Sequence, residues 1–113
     1  MEETIDNKWI EVEAYLKQRF NSTLDIKSIL FILGLRELGR KESDLTKEEK
    51  MDLMNLGFCK IASLSGYFDI LEKDKDGWPV WKQIKPLPKM KTKEQEAFIK
   101  EHVVKYFEAE ALI

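Results

Sequence analysis

Residues 67–84, with the sequence YFDILEKDKDGWPVWKQI, place a turn signal between two runs of strand-forming residues. Aromatic and branched side chains, which favour an extended backbone, are frequent in residues 67–73 and again in residues 78–84. The intervening Asp76-Gly77 dipeptide is a strong signal for a tight turn, because both residue types tolerate its backbone angles. The segment therefore predicts a β-hairpin.

Four helical segments surround this hairpin, three before it and one after it. Their apolar residues recur mostly at three- and four-residue steps, the pattern of helices that bury one side. The predicted helices cover residues 5–20, 25–38, 46–65 and 92–110, and residues 40–45 form a polar loop. The second helix is apolar nearly all round, so we expect it to be central.

The predicted fold class is mainly α (α+β), with about four helices and one β-hairpin inserted between helices three and four. The element order is α-α-α-β-β-α. A chain of 113 residues has room for one domain, so we predict a single domain over residues 1–113.

Two of the helices begin with the residues of a capping box, in which side chains and backbone donors bind each other reciprocally. Thr46 and Glu49 provide it for the third helix, and Thr92 and Gln95 for the fourth. Gly57, in the middle of the third helix, costs about 1 kcal/mol relative to alanine, which leaves a break there as an alternative. The side of the third helix expected to face the core consists of Met51, Met54, Phe58, Ile61 and Ser65.

The single cysteine, Cys59, indicates the compartment, because one thiol forms neither an intramolecular disulfide nor a cysteine cage for a metal. The N-terminal residues are acidic, whereas a secretory signal begins with basic ones. The longest apolar run covers residues 29–35, well short of the roughly 18 residues that a membrane helix needs. We therefore expect a cytoplasmic protein with no membrane partner.

Charge is unevenly distributed along the chain, although the net charge is only −2. Residues 78–93 contain five of the 19 basic side chains and no acidic one, together with all three prolines and two of the three tryptophans. The rest of the chain is consequently net acidic. Tryptophans beside a charged rim are typical anchors of protein interfaces.

Catalytic chemistry has few candidates in this sequence. A nucleophilic cysteine needs a neighbouring base, and Cys59 and His102 are single residues of their types. A Cys59–His102 dyad requires the third and fourth helices to face each other at these positions; otherwise both are packing residues. The motifs of phosphate-binding loops, dinucleotide sites and nucleophile elbows do not occur. We therefore predict no catalytic residue and no cofactor, and an enzyme of unknown type is the third alternative.

The acidic turn of the hairpin partly matches the calcium loop of an EF-hand. Asp74, Asp76 and Gly77 fit three of its positions, but Glu72 replaces the first aspartate and Gln83 replaces the bidentate glutamate. Without that second carboxylate the loop loses much of its charge compensation for the cation. The flanking residues also predict strands where the motif has helices. We therefore predict no metal site and interpret the residues as a polar turn.

The order of three helices followed by a hairpin resembles a winged helix, which binds DNA. Splitting the third helix at Gly57 would give a helix-turn-helix outline. Leu53 then stands where that motif needs a small residue, and Asp52 and Ser63 stand at apolar positions. The expected recognition helix, residues 58–64, carries one lysine, so a basic footprint is missing. A winged-helix-like nucleic-acid-binding domain is therefore the second alternative and is not favoured.

The predicted hairpin is apolar on both faces, because Trp78, Val80 and Ile84 alternate with Trp81 along its second strand. One face can pack on the helices, while the other needs a cover from this chain or from another protein. The leading prediction is a small non-enzymatic protein-interaction or assembly domain, which docks a protein partner or a second copy through residues 78–93. Burial of both faces within the monomer is the open alternative. The candidate interface residues are Trp78, Trp81, Lys82, Lys85, Lys89 and Lys91.

Overall fold

A computed structural model of the protein describes residues 4–39 and 44–113. Its helices and strands are α1 (Ile5–Phe20), α2 (Ile26–Leu38), α3 (Lys47–Ser63), β1 (Phe68–Lys73), β2 (Pro79–Gln83) and α4 (Thr92–Ala109). The predicted order and the mainly helical class are confirmed. No helix within the described ranges is both long and apolar enough to cross a membrane. The acidic residues 1–3 and residues 40–43 of the predicted loop lie outside the described residues.

The chain folds as two compact units. Unit 1 contains residues 4–26 and 89–113, and unit 2 contains residues 27–88. The single domain expected over residues 1–113 stays a prediction.

Unit 1 is built on the packing of α1 against α4. The Thr4 hydroxyl caps α1 by accepting the Asn7 amide at 3.2 Å. The ring of Tyr15 on α1 meets the ring of Phe107 on α4 edge to face, with centroids 5.4 Å apart. An ion pair of 3.1 Å between Lys8 and Glu108 joins the same two helices. The fully buried residues of unit 1 are Val12, Leu16, His102, Val103, Val104, Tyr106 and Phe107.

The start of α4 differs from the predicted capping box. Lys91 is the N-cap residue and Thr92 is already helical, so the threonine hydroxyl does not cap the helix. The Gln95 side chain instead donates to the carbonyl of Met90 at 3.2 Å. This helix therefore begins without a side-chain cap, and the capping-box prediction is wrong here.

Unit 2 contains a close crossing of α2 and α3 at two glycines. A Cβ atom on Gly34 would overlap the backbone of Leu53, whose carbonyl carbon would lie only 2.8 Å away. A Cβ atom on Gly57 would collide in the same way with the backbone carbonyl of Leu30. The helix α3 runs through Gly57 without a break. Gly57 therefore serves close helix packing, and the helix-turn-helix outline that needs a turn there is absent.

The start of α3 is the predicted capping box. Glu49 donates its amide to the Thr46 hydroxyl at 3.1 Å, and its carboxylate accepts the Thr46 amide at 3.2 Å. The buried side of α3 agrees with the predicted one at Ile61, which is completely buried, but differs from it at Met51, which is 57% exposed. The glycine crossing turns another side inward, and its buried residues are Leu53, Leu56, Gly57, Cys59, Ile61 and Ala62.

The strands β1 and β2 form the predicted antiparallel hairpin, a two-stranded sheet with a bulge at Leu71. The Asp74 carboxylate organises the turn by accepting the amides of Asp76 and Trp78, both at 2.9 Å. The Asp74 amide also donates to the Trp78 carbonyl at 2.8 Å. The carboxylate is thus occupied by backbone donors, which fits the interpretation of these residues as a polar turn.

Candidate protein-interaction surface

The hairpin has an inner face and an outer face, defined by the strand register. Successive side chains of a strand point to opposite faces, so Phe68 and Ile70 share one face with their partners Gln83 and Trp81. The Phe68 ring contacts the Phe58 ring of α3 edge to face at 6.5 Å between centroids. We call this the inner face, because it lies against α3.

The outer face carries the alternate residues of both strands. Asp69 and Glu72 of β1 lie there opposite Lys82 and Val80 of β2. Alternation places Ile84, which follows β2, on the same side. The outer face therefore combines aliphatic side chains with charges of both signs.

Trp81 lies on the inner face and is half-buried. Its ring lines a cavity of about 190 Å³ together with Leu56 and Cys59 of α3. The indole Nε1 is completely buried and has no hydrogen-bond partner within the described part of the chain. Burial of an unpartnered donor costs roughly 1–3 kcal/mol, so apolar packing of the ring has to offset this cost. Trp81 therefore faces α3 across this cavity.

Trp78 also lies beside α3. It precedes β2, is half-buried and lines the same cavity as Trp81, next to Asn55. Alternation along an extended strand predicts that Trp78 shares the side of Val80, but Trp78 lies in the turn, outside the paired residues. Both tryptophans proposed from the sequence as anchors thus contribute to packing inside unit 2.

Aliphatic side chains on and next to the outer face remain exposed to solvent. Val80 is 37% exposed, Ile84 is 54% exposed, and Leu71 at the bulge is 62% exposed. Alternation along the sequence placed Leu71 on the side opposite Phe68 and Ile70, but it did not predict the bulge, which depends on the pairing of two strands. The pattern of alternating residues did indicate Val80 and Ile84.

The lysines near this surface are exposed as well. Lys82 lies on the outer face opposite Asp69. The Lys85 ammonium lies 4.4 Å from the centre of the Tyr67 ring, a cation–π contact that orients the side chain beside the end of β2. Lys89 and Lys91 are exposed too but belong to unit 1. Trp78, Trp81, Lys82 and Lys85 therefore belong to unit 2, with Trp81 and Lys82 on opposite faces of the hairpin, while Lys89 and Lys91 precede α4 in unit 1.

A second cavity, of about 280 Å³, lies beside β1 and contains polar side chains that already have partners. Glu37 and Lys60 form an ion pair of 3.6 Å. The Ser63 hydroxyl donates to the Lys60 carbonyl, and the Asp69 carboxylate accepts the Ile70 amide at 2.9 Å. The residues lining this cavity include neither histidine nor cysteine.

Cys59 and His102 occupy different units and different environments. Burial raises the pKa of the Cys59 thiol above its ordinary value, which disfavours the nucleophilic thiolate. His102 is 3% exposed, and its Nδ1 lies 2.7 Å from the Phe98 carbonyl oxygen. Its ring also stacks on the Phe98 ring at 4.1 Å between centroids. Each side chain thus has the surroundings of a packing residue.

A groove of about 570 Å³ between α2 and α3 contains three of the five α3 residues that the sequence placed in the core. Met51, Met54 and Phe58 line it together with Leu30. The prediction put these side chains in the core because helical spacing alone does not show which side of α3 meets α2. Among the described residues, no group of three or more His, Cys, Asp or Glu residues is arranged to hold a metal ion.

Comparison of the chain with protein-family models, curated proteins and solved structures gave no match. Its function therefore has to be inferred from its own surface.

Proposed function

We propose that this chain is a small non-enzymatic protein-interaction domain, and that its hairpin docks an acidic segment of another protein on the outer face. The observation that carries the proposal is the exposure of Leu71, Val80 and Ile84 on one short hairpin. Exposed aliphatic groups that lie together beside charged residues are typical of docking surfaces. On the inner face, α3 contacts the hairpin at Phe68, while Ile70 there is 45% exposed.

The charge along and after β2 supports an acidic partner, whereas the acidic residues of the outer face, Asp69 and Glu72, belong to β1. Lys82 and Lys85 flank Ile84 in sequence, and residues 78–93 contain no acidic side chain. Charge complementarity of this kind guides encounter and excludes partners of the same sign. The proposed partner segment therefore carries carboxylates between aliphatic residues.

A protein partner is favoured over nucleic acid by the chemistry of the hairpin. Phosphate recognition relies on cations, whereas Val80, Ile84 and Leu71 offer apolar area. The tip of the hairpin also carries Asp74 and Asp76, which would repel a phosphate backbone. A cytoplasmic location is part of the proposal and is supported by the single cysteine, which forms no structural disulfide within the chain.

The test is a titration of the full chain with the short peptide Val-Thr-Glu-Thr-Val, whose valines and glutamate share one face when it is extended, followed by nuclear magnetic resonance. We expect saturable shifts of the Val80, Lys82 and Ile84 signals at millimolar peptide. The double variant Val80→Ser/Ile84→Ser should bind about tenfold more weakly, since both changes remove apolar contact area.

The matched control is Ile10→Ser, which makes the same kind of change at an isoleucine of α1 that is 62% exposed. This variant should bind the peptide like the unaltered chain. Equal loss in both variants, or no shifts on the hairpin, contradicts the proposal. Tight binding of random duplex DNA that weakens steeply between about 50 and 200 mM salt would favour the nucleic-acid alternative. A stable dimer in light scattering would favour a second copy as the partner.

A further inference from the structure

The two-stranded sheet has two edges, and within residues 4–39 and 44–113 neither edge has a further strand neighbour. The Ile84 amide donates to the Tyr67 carbonyl at 2.8 Å, so the backbone groups of Ile84 point toward β1. Backbone groups of successive residues alternate between the two edges of an antiparallel strand. Those of Trp81 and Gln83 consequently point away from β1, where an added strand can bond to them.

The two edges differ in charge and in regularity. The β1 edge carries Asp69 and Glu72 and is interrupted by the bulge at Leu71. The β2 edge carries Lys82 and is followed by Lys85, with no bulge. Because bulges disturb pairing and like charges repel across strands, β2 is the better edge for an acidic strand.

A second copy of this chain is a poor occupant of the β2 edge. Two β2 edges would bring lysines of the two copies together, and two β1 edges would bring Asp69 and Glu72 together. Pairing of β1 with β2 is complementary in charge, but it is a head-to-tail contact that leaves an edge open on each copy. An acidic strand from another protein can pair with the β2 edge without bringing like charges together and without a head-to-tail contact between copies.

The length available for pairing is limited by two prolines. Pro79 and Pro86 lack the backbone N–H that a ladder requires, so pairing is confined to the residues between them. Within this window, Val80, Lys82 and Ile84 lie on the outer face. A strand added beside β2 therefore places its alternate side chains next to two aliphatic groups and one lysine.

We propose that the partner segment binds as a third, extended strand along β2, between Pro79 and Pro86, with a carboxylate next to Lys82 and aliphatic side chains next to Val80 and Ile84. The inference rests on the proposed function and states how the acidic segment is recognised. Main-chain hydrogen bonds to Trp81 and Gln83 supply affinity, while the outer-face side chains and lysines select the sequence.

The experiment compares the Val-Thr-Glu-Thr-Val peptide with two backbone-methylated forms of it. One form is N-methylated at its odd residues and the other at its even residues, so each loses the N–H groups of one edge. If the peptide adds to β2, one methylated form should bind at least tenfold more weakly than the other. Hydrogen exchange of the Trp81 and Gln83 amides should slow at least tenfold in the complex with the unmethylated peptide.

The outcomes separate this inference from the proposed function. Equal binding by all three peptides, with shifts confined to Val80 and Ile84, overturns strand addition but keeps docking on the outer face. Slowed exchange on β1 instead of β2 also overturns it. No effect on the hairpin from any peptide overturns both. A peptide with lysine in place of glutamate should not bind, and equal binding by it contradicts the charge argument.

Discussion

Two regions contain similar aliphatic residues but expose them to different extents. One is the crossing of α2 and α3, and the other is the hairpin. At the crossing, Leu33 is 2% exposed and Leu53 is 1% exposed. In the hairpin, Leu71 is 62% exposed and Ile84 is 54% exposed. Both regions belong to unit 2 and both are rich in aliphatic residues. The apolar area therefore stabilises the fold in one region and is left accessible in the other.

The exposure of the aliphatic side chains differs because neighbouring elements cover a different number of sides in the two regions. The crossing brings two helix backbones into contact at Gly34 and Gly57, so the side chains around it are enclosed. A two-stranded sheet has two faces, and α3 contacts one of them in unit 2. Burial near the crossing drives folding, whereas Val80 and Ile84 on the outer face remain exposed to solvent.

The largest expected effect comes from cavity formation in α2. Leu33→Ala should lower the free energy of unfolding by about 2–5 kcal/mol, because the buried methyl groups lose their contacts. The same substitution at the exposed Leu71 should change it by less than about 0.5 kcal/mol. Urea titration measures both. Equal losses in the two variants would abolish the distinction between the regions.

A smaller effect with an unusual sign is expected at the crossing. Alanine in place of glycine within a helix normally stabilises it by roughly 0.5–1 kcal/mol. Gly34→Ala should instead destabilise unit 2 by about 1–3 kcal/mol, since its Cβ would overlap the backbone of Leu53. Asn55→Ala, at an exposed position of α3, is the control and should be neutral or slightly stabilising. A stabilising Gly34→Ala would show that the helices do not approach closely.

The substitution Trp81→Phe should change the free energy of unfolding by a still smaller amount. Trp81→Phe loses ring area but also removes the buried Nε1 that lacks a partner, so we expect a net cost below about 1 kcal/mol. Trp81→Ala should cost clearly more, because it removes the whole ring from α3. If both variants cost the same in urea titration, ring packing is not what attaches the hairpin to α3.

Local patterns in the sequence predicted the elements well, because their causes are local. The Asp76-Gly77 turn, the capping box at Thr46 and the order of helices and strands all follow from neighbouring residues. The buried side of α3 and the role of Gly57 could not be predicted, because they depend on α2, which is distant in sequence. The predicted cap at Thr92 failed because the N-cap residue of α4 is Lys91, one residue before the predicted one.

The candidate surface was predictable only in part for the same reason. Alternation identified the side chains of β2 that share a face, including Val80 and Ile84. It did not show that Trp81 lies against α3, nor that a bulge exposes Leu71. Which face of a hairpin is covered is decided by tertiary packing.

The central claim is that the outer face of the hairpin is not needed for folding and is therefore available to a partner. The most direct measurement is the free energy of unfolding of the Val80→Ser/Ile84→Ser variant in urea. We predict a value within about 0.5 kcal/mol of the unaltered chain, as for exposed positions in general. A loss of more than about 2 kcal/mol would contradict the claim, because it would show that the chain itself buries these side chains.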